Sequence, residues 1–547
     1  MNSRFNSLDA VCRLPDIANE PVRSYSPGSP ERAAIKARLN SLAHERIELP
    51  LVIGGEDIRT GKLEPSVMPH NREHILADVH LAGTQEIELA IAKALEARAS
   101  WSSTPWQERA AVFFRAADLL SGPYRDTLNA ATMLGQSKTV HQAEIDSAAE
   151  LVDFWRLNAA FLAQIYAHQP QSAPGAWNRV DYRPLDGFVF AVTPFNFTSI
   201  AGNLPSAPAL AGNTVVWKPA RTAKYAAHFI MEILRKAGLP PGVINLVYGK
   251  ASEISDLALS HPLLAGVHFT GSTEVFNAIV RRAGESRYNG YPRLVGETGG
   301  KNFILAHASA DVPALATAIV RGGFEYQGQK CSAASRIYVP SSLWPELRDR
   351  LAASVEDIKM GDVCDFRNFM GAVIDHASWK KLSEAQEEAR RASAYRLICG
   401  GKADAKDGWF IGPTLVETTD PQSRLMKEEL FGPIVTVYVY EDAAFADTID
   451  LIDRSSEYGL TGSVFSTDIS AVAMAQAGLR HAAGNFYIND KPTGAVVGQQ
   501  PFGGGRASGT NDKAGSMWNL MRWISPRTIK ETFVPPVDYR YPFMSAP

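Results

Sequence analysis

The feature that most constrains the fold of this chain is an alternation of short apolar segments with longer amphipathic ones between residues 187 and 307. In residues 222–238 the apolar positions recur at helical spacing, and the sequence predicts Thr222 as the N-cap and Gly238 as the C-cap. Such alternation is typical of a parallel sheet covered on both faces, which binds ligands beyond the carboxyl ends of its strands. The predicted strands are residues 187–193, 213–219, 242–249, 265–271 and 301–307.

Two further regions flank this alternation. Residues 83–168 carry apolar positions at helical spacing and end at the proline-rich interruption HQPQSAPGAW, so they are predicted to be helical. A second alternation begins near residue 311 with a strand at 335–340 and a helix from 341, which predicts a second α/β domain. The late segment IKETFVPP is β-like and isolated, and we expect it to pair with another sheet, for which a partner subunit is a candidate.

Charge and hydropathy exclude several classes of function. The 55 basic and 58 acidic side chains give a formal net charge of −3, so neither nucleic acid nor an anionic membrane is an expected partner. No run of 18 or more apolar residues occurs, and no transmembrane helix is predicted. Residues 1–16 lack a secretory apolar core and include Asp9 and Asp16, which argues against a mitochondrial presequence and predicts a disordered tail.

Cysteine and histidine give no sign of a metal site. The four cysteines show neither a disulfide framework nor zinc spacing, which suits a reducing cytosol. His70 and His74 form the tightest histidine pair, in the polar segment HNREH after a proline. We interpret this segment as a surface loop rather than a metal site, and we expect no metal.

Three residues are candidates for covalent chemistry, although each has an ordinary structural alternative. Cys331 in GQKCSAAS adjoins Lys330 and would need a raised thiolate fraction to act as a nucleophile; otherwise it is a buried, inert thiol. Glu297 in VGETGGKNF could project from a glycine-rich turn as a general base, or be a surface carboxylate. Asn196 in VTPFNFTS follows a predicted strand and could donate to an oxyanion, or cap a turn.

Two segments are candidates for binding a nucleotide at the ligand edge of the sheet. FTGSTEV joins a predicted strand to a helix and places Gly271 and Ser272 at the helix N-terminus, where free N–H groups and the helix dipole favour phosphate. A plain helix cap explains this segment equally well, and the GxGxxG fingerprint is absent. WKPA ends another predicted strand and puts Lys218 at the same edge, where an ordinary exposed lysine is the alternative.

These motifs are far more specific together than singly. In order along the chain they resemble the aldehyde dehydrogenase superfamily from about residue 20 to residue 533, and EELFGP at 428–433 completes the pattern. The resemblance implies an α/β aldehyde dehydrogenase fold with a Rossmann-like cofactor domain, an α/β catalytic domain and a β oligomerisation flap. It implies an NAD-binding domain of residues 1–169 and 187–298, a catalytic domain of residues 299–508, and an oligomerisation segment of residues 170–186 and 509–547.

One branch of the superfamily is matched more closely. The segments SPERAAIKARL, ETGGKNF, FEYQGQKCSA, GNFYIND and GQQPFGGGRASGTNDKAG resemble the branch that oxidises L-glutamate γ-semialdehyde, the open form of pyrroline-5-carboxylate, to L-glutamate. This oxidation is the second step of proline breakdown. The resemblance implies an NAD-dependent enzyme with a small-molecule substrate that forms a homodimer or a larger homo-oligomer. It further implies a cytoplasmic location, or the mitochondrial matrix in a eukaryote.

The resemblance also assigns roles by position. Cys331 matches the nucleophile, Glu297 the general base, and Asn196 an oxyanion donor beside the backbone N–H of Cys331. The residues that match the cofactor site are Thr193, Lys218 at the adenosine ribose, Gly271, Ser272, Thr273, Glu274, Val275, and Glu429 and Phe431 at the nicotinamide riboside. Those that match the substrate site are Ser332, Gly494 and Ala495 at the carboxylate, and Phe197 and Phe502 along the aliphatic part.

Two positions depart from the family pattern. Ala495 stands where a serine is expected in the carboxylate anchor, so one hydroxyl donor is missing while backbone N–H groups remain. Arg221 follows WKPA, where many members carry an acidic residue near the ribose hydroxyls. Loss of that carboxylate removes a discriminator against a 2′-phosphate. The sequence therefore predicts NAD with a modest preference, and NADP is not excluded.

Several alternatives remain open at this stage. The substrate could be another semialdehyde, or the thioester could be released to coenzyme A. A reductase acting on γ-glutamyl phosphate with NADPH is a further alternative. The fold could also serve a non-catalytic binding protein, although retention of Cys331, Glu297 and Asn196 together argues against that.

We expect Ala495→Ser to lower the KM for glutamate semialdehyde several-fold, because it adds one donor to the carboxylate anchor. A well-aligned hydrogen bond to a charged group contributes roughly 1.5–3 kcal/mol, and the gain should be smaller because water can already fill this place. Steady-state kinetics with simple aldehydes is the control and should show no change. An equal effect on both substrate types, or a Ser332→Ala variant that keeps its preference for the carboxylated substrate, would place the anchor elsewhere.

Overall fold

A computed structural model describes residues 12–544, so most of the predicted N-terminal tail lies outside the described residues. The strands are β1 Ile47–Leu49, β2 Leu51–Ile53, β3 Glu56–Ile58, β4 Leu63–Met68, β5 Asn71–His80, β6 Ala176–Pro184, β7 Phe188–Thr193, β8 Thr214–Pro219, β9 Ile244–Leu246, β10 Leu264–Thr270, β11 Arg293–Glu297, β12 Asn302–Ala306, β13 Ala334–Pro340, β14 Tyr395–Gly400, β15 Ala403–Asp404, β16 Phe410–Ile411, β17 Thr414–Thr418, β18 Ile434–Tyr440, β19 Tyr458–Gly459, β20 Thr461–Phe465, β21 Asn485–Ile488, β22 Gly505–Arg506 and β23 Ile524–Thr532.

The α-helices are α1 Pro30–His44, α2 Thr84–Ser103, α3 Trp106–Ser121, α4 Arg125–Gln136, α5 Val140–Ala143, α6 Glu150–Ala167, α7 Thr198–Leu210, α8 Lys224–Lys236, α9 Ala251–Ser260, α10 Thr273–Glu285, α11 Val312–Phe324, α12 Trp344–Asp357, α13 His376–Arg391, α14 Arg424–Lys427, α15 Phe445–Arg454, α16 Ile469–Gly478 and α17 Met517–Met521. A π-helical turn, Glu144–Ala149, joins α5 to α6. None of the helices in residues 12–544 is long and apolar enough to cross a membrane.

The first large sheet has seven strands in the order β11-β10-β7-β8-β9-β2-β3. Its first five strands run parallel, and β2 and β3 complete it antiparallel. Every residue of β8 is buried, although successive side chains of a strand point to opposite faces, so both faces of the sheet centre are covered. The helices α2 and α7 pack against these strands. The predicted parallel sheet is confirmed for the strands at 187–193, 213–219, 242–249 and 265–271. The fifth predicted strand, residues 301–307, belongs to the second sheet as β12 instead, and the edge strand β11 was not predicted.

The second sheet also has seven strands, in the order β14-β17-β18-β13-β12-β20-β21, and is parallel except for β14. Alternate residues of β12 face two separate cores. Phe303 and Leu305 pack with residues of α15 and α16, whereas Ile304 packs with residues of α11 and α12. The second α/β unit is therefore built as the alternation beyond residue 311 predicted.

The late β segment pairs within its own chain. β23 runs antiparallel to β6, from Ile524 opposite Pro184 to Thr532 opposite Ala176, and the two strands form a separate ribbon. The expectation of an isolated tail is therefore wrong, because β6 supplies the partner strand. Residues 533–536 lie outside the strand. The ribbon joins the two parts of the predicted oligomerisation segment, whereas the domain boundaries themselves stay predictions.

Three local predictions are corrected. Thr222 lies in a 3-10 turn, Arg221–Ala223, and α8 begins after it with no side-chain cap. Gly238, at φ +90°, follows the C-cap residue Ala237, as a glycine in the left-handed region does in a Schellman ending. The HNREH segment is not a surface loop, because His70 is buried against Ser137 (Nδ1 to Oγ 3.2 Å) and His74 lies within β5.

Candidate active site

Four neighbouring parallel strands of the first sheet end at one edge. β7, β8, β10 and β11 are adjacent in the order β11-β10-β7-β8, and their carboxyl ends lead into the segments that contain the predicted cofactor and catalytic residues. Asn196 follows β7, Lys218 is the next-to-last residue of β8, Gly271 follows β10, and Glu297 ends β11. The ends of parallel strands meet at one edge, so the tertiary structure gathers residues that are far apart in sequence.

Cys331 lies on a turn just before β13, at the amino end of that strand in the second sheet. The turn is strained, since Tyr326 (φ +51°) and Gln327 (φ +56°) adopt left-handed conformations that side chains of this size rarely take. The side chain of Gln327 holds the turn in place: its Nε2 donates to Ser137 O (3.1 Å) and Ala372 O (2.7 Å), and its Oε1 accepts from a third backbone group. The carbonyl of Cys331 accepts a hydrogen bond from Asn302 Nδ2 at 2.7 Å.

Two glycines join the sheets and pack against the thiol loop. A Cβ on Gly300 would lie 2.2 Å from the carbonyl oxygen of Cys331, and one on Gly299 would lie 2.3 Å from Oε2 of Glu429. The N–H of Gly300 donates to Oε1 of Glu429 at 2.7 Å. Any side chain at these positions would push apart Cys331, Glu429 and the end of β11, so the glycine pair is required by the packing of the site.

A cavity of about 320 Å³ is lined by elements of both sheets and by two of the three predicted catalytic residues, Cys331 and Glu297. Asn196 is buried behind this cavity and donates from Nδ2 to the carbonyl of Gln329 at 3.1 Å, two residues before the thiol. The structure also brings all five predicted substrate residues to the cavity wall: Ser332, Gly494, Ala495, Phe197 and Phe502. The cavity can therefore hold a small molecule in contact with the thiol.

Burial keeps the thiol of Cys331 neutral at rest. Its pKa lies well above the usual range, first because of burial and then because of the negative charges of Glu297 and Glu429. Hydrogen bonds from the backbone N–H groups of Ser332 and Cys331 oppose this shift, since they stabilise the thiolate. The same N–H groups point at the place where charge develops, which suits stabilisation of an oxyanion.

The carboxyl group of Glu297 is poised to accept a proton near neutral pH. Burial raises its pKa to about 8, although the charge of Lys513 opposes the shift. Within residues 12–544 its buried oxygen Oε1 has no hydrogen-bond partner, so that oxygen is free for a substrate or a water molecule. A carboxyl with a pKa close to the working pH suits general-base chemistry.

The residues predicted to hold a cofactor lie along the same edge. Ser272 caps α10 and accepts from the N–H of Val275 at 3.3 Å, whereas Thr193 Oγ1 accepts from Trp217 Nε1 at 3.0 Å. Burial lowers the pKa of Lys218 to about 8, and the charge of Lys224 adds to this. The predicted residues Thr273, Glu274 and Val275 form the first turn of α10.

The residues predicted to contact the nicotinamide riboside are Glu429, which packs against the glycine pair, and Phe431. Burial raises the pKa of Glu429 to about 7, and the N–H of Gly300 and the charge of Lys301 oppose the shift. Phe431 has φ +60° and meets Phe195 edge to face, with ring centroids 5.8 Å apart. The roles of these residues toward a cofactor stay predictions.

The sequence interpretation missed several polar residues of the cavity. Lys513 faces Glu297 from GTNDK, within the most specific matching segment, so the motif itself could have identified it. Asn19 bonds both Asp153 (2.8 Å) and the carbonyl of Val497 (2.9 Å), and no sequence signal pointed to it. Buried charges also surround the aromatic wall: the ammonium of Lys138 pairs with Asp146 at 2.6 Å and lies 4.4 Å from the ring centroids of Phe197 and Tyr326.

Residues 12–544 include no group of three or more His, Cys, Asp or Glu side chains placed to hold a metal ion.

A thiol and a carboxylate that share a cavity at the ligand edge of a parallel α/β sheet are the nucleophile and base of an enzyme that works through covalent cysteine catalysis. The sequence profile of the aldehyde dehydrogenase family matches residues 59–529, and the chain belongs to this family.

Relatives that are named for one enzymatic activity match nearly the whole chain. The mitochondrial delta-1-pyrroline-5-carboxylate dehydrogenase of Dictyostelium discoideum is 48% identical over 98% of this chain and 97% of its own length. The human enzyme of the same name is 47% identical over 96% of this chain and 94% of its own. The crystal structure of the Mycobacterium tuberculosis delta-pyrroline-5-carboxylate dehydrogenase bound with NAD is 52% identical, covers 98% of this chain and all of that one, and superposes with a TM-score of 0.95.

The ionisation of Glu297 yields a pH prediction. Because the pKa of Glu297 is about 8, its base form increases as the pH rises through that value, and steady-state turnover should rise with it. Glu297→Gln should remove this rise and slow steady turnover while a pre-steady-state burst of NADH remains. Stopped-flow absorbance at 340 nm, about the maximum of reduced nicotinamide, measures both phases. Loss of the burst itself would show that Glu297 acts earlier, on the thiol.

Proposed function

We propose that this chain is an NAD-dependent dehydrogenase that oxidises L-glutamate γ-semialdehyde to L-glutamate through a thioester on Cys331. The observation that carries the proposal is the cavity in which Cys331, Glu297 and the five substrate residues meet. The relatives and solved structures that match nearly the full chain carry the name of this activity. The reaction belongs to proline breakdown.

The residues present fit a dinucleotide. The N-terminus of α10 offers free N–H groups for a pyrophosphate, and the buried ammonium of Lys218 lies at the end of the next strand but one. The carboxyl of Glu429, which already accepts one N–H bond, keeps a second oxygen for a ribose hydroxyl. A solved relative from Thermus, 31% identical with a TM-score of 0.89, was crystallised with bound NAD. The chemistry that NAD supplies when bound is to accept a hydride.

In the proposed mechanism the chain forms and breaks one covalent bond. The Cys331 thiol gives its proton to a water molecule, and its sulfur attacks the aldehyde carbon. The oxyanion that forms accepts hydrogen bonds from the second Nδ2 hydrogen of Asn196 and the backbone N–H of Cys331. Departure of the hydride leaves a thioester. Ionised Glu297 then takes a proton from a water molecule, whose oxygen attacks the thioester carbon. The carbon–sulfur bond breaks, Glu297 passes its proton to the departing sulfur to restore the thiol, and the acid product loses its own proton to solvent as the carboxylate.

Substrate choice rests on the anchor at the far end of the cavity. Gly494 has φ +89°, a conformation that glycine adopts without strain, and its neighbours Ala495 and Ser332 line the same wall. Backbone N–H groups and one hydroxyl there suit a carboxylate. Phe197 and Phe502 enclose the methylene groups between the two ends of the substrate.

A coenzyme-A-acylating dehydrogenase is the second candidate, because it would share Cys331 and the cofactor edge. The buried carboxyl of Glu297, with its free oxygen facing the cavity, favours water as the acyl acceptor instead. Product analysis with and without coenzyme A separates the two, and a phosphate-dependence assay separates the reductase that acts on γ-glutamyl phosphate. We place the enzyme in the cytoplasm, or in the mitochondrial matrix of a eukaryote, as the names of the eukaryotic relatives suggest.

Replacement of the nucleophile tests the proposal. Cys331→Ala should reduce NADH formation from glutamate semialdehyde to below about one per cent of wild type, because no thioester can form, while the Kd for NAD stays near normal. Cys399→Ala, which changes a half-buried thiol in another part of the chain, is the matched control and should retain activity. Substantial residual turnover of Cys331→Ala would remove this residue from the mechanism.

The β6–β23 ribbon should lie in an interface between two copies. Within residues 12–544 these two strands pair only with each other, which leaves unpaired hydrogen-bonding edges. Trp177 on β6 and Phe533 just beyond β23 are 52% and 61% exposed. We therefore expect at least a homodimer, with Trp177→Glu shifting it toward monomer. Sedimentation velocity of both proteins measures this, and a wild-type chain that stays monomeric would contradict it.

A further inference from the structure

A carboxylate from a distant part of the chain contacts Arg221, the residue that stands where many family members carry an acidic side chain. Glu64 lies on β4, and its Oε1 accepts from Nε of Arg221 at 2.6 Å. Its other oxygen, Oε2, accepts from Nζ of Lys224. One glutamate therefore engages both cations that follow the β8 strand end.

The position of this cluster relates it to the predicted ribose site. Arg221 lies in the 3-10 turn directly after β8, and Lys224 is the first residue of α8. Lys218, matched to the adenosine ribose, ends the same strand, and the charge of Lys224 helps to lower its pKa. Glu64 thus lies beside the position at which the family places its own acidic residue, on the turn after β8.

The contact is largely shielded from solvent on the side of Glu64 and Lys224. Their side chains are 21% and 4% exposed, whereas that of Arg221 is 76% exposed. Burial by itself would raise the pKa of Glu64, but the hydrogen bonds and charges of Lys224 and Arg221 outweigh it and hold the pKa below the usual value. The carboxylate is therefore ionised at neutral pH.

We propose that Glu64 supplies the acidic group that residue 221 lacks, and that it selects NAD over NADP. Bound to Glu64, Arg221 and Lys224 are not free to pair with a 2′-phosphate, and the carboxylate repels that phosphate. The inference rests on the proposed NAD-dependent function. It predicts a stronger preference for NAD than Arg221 by itself suggests.

The strand that carries Glu64 explains why the carboxylate reaches this place. β4 pairs with β5 in a three-stranded sheet, with Glu64 opposite Val79, and β4 also packs against α4. α4 in turn packs against α8 and against the 3-10 turn that contains Arg221. The hairpin is thus held against the turn by helices, and the two residues meet although they lie in separate parts of the sequence.

Dinucleotide binding to the full chain tests this assignment directly. Isothermal titration with NAD and with NADP gives a Kd for each, without any turnover. Glu64→Gln should tighten NADP binding about tenfold, the size expected for one charge-assisted contact released to the phosphate, and should change the Kd for NAD far less. Asp78→Asn is the matched control, because Asp78 is a carboxylate on the neighbouring strand β5 that is paired with Arg46, and it should leave both Kd values unchanged.

A double variant identifies the cation. Arg221→Ala in the wild-type background should leave NADP binding weak, whereas in the Glu64→Gln background it should cancel the gain. If Glu64→Gln fails to fold, as a thermal unfolding scan would show, Glu64→Asp keeps the charge at a shorter reach and should raise NADP affinity only slightly.

The outcomes separate the inference from the proposed function. A wild-type chain that binds neither dinucleotide would contradict the proposed function. A wild-type chain that binds NAD, with a folded Glu64→Gln variant whose ratio of Kd values for NADP and NAD is unchanged, would overturn only the assignment of Glu64. A ratio that shifts equally in Asp78→Asn would also overturn it, because the effect would then be one of overall charge.

Discussion

The close packing of Gly300 against the thiol loop and of Gly299 against the carboxyl group of Glu429 is the constraint on which the site depends. These residues form the short link between β11 of one sheet and β12 of the other, and no Cβ fits at either position. The link brings the end of β11, which carries Glu297, next to the loop of Cys331 and lets Gly300 bond Glu429. The backbone of this short link therefore helps to fix three functional side chains from different elements relative to one another.

Burial then sets the electrostatics of the site. The pKa of Glu297 and that of Cys331 are both raised, chiefly by removal from water, and the negative charge of Glu297 adds to the shift at Cys331. In the proposed mechanism the two groups ionise at different stages. While the sulfur must ionise, a neutral Glu297 does not hinder it; once the sulfur is acylated it carries no charge, and Glu297 can ionise more readily as the base for hydrolysis.

The surroundings of the cavity show how a family scaffold acquires its own substrate and cofactor preferences. We expect three polar residues to affect these preferences: Asn19 in the N-terminal segment, Glu64 on β4 and Lys513 in the late segment. All three reach the site through the packing of the N-terminal elements and the final segment against the two sheets. A substitution in one motif, such as Arg221, can therefore be offset by a residue that no local motif contains.

The sequence by itself determined the parallel architecture, since short and mostly apolar strands such as β7 alternate with amphipathic helices. Through the family resemblance it also predicted part of the cavity wall, because Cys331, Glu297 and the anchor residues lie in motifs with fixed order. It did not predict the partner of β23, the burial of His70 or the start of α8, because these follow from contacts between distant segments. Tertiary structure alone decided the pKa of Glu297 and the contact of Glu64 with Arg221, since burial and ion pairing depend on which parts of the chain meet and not on the residues beside them.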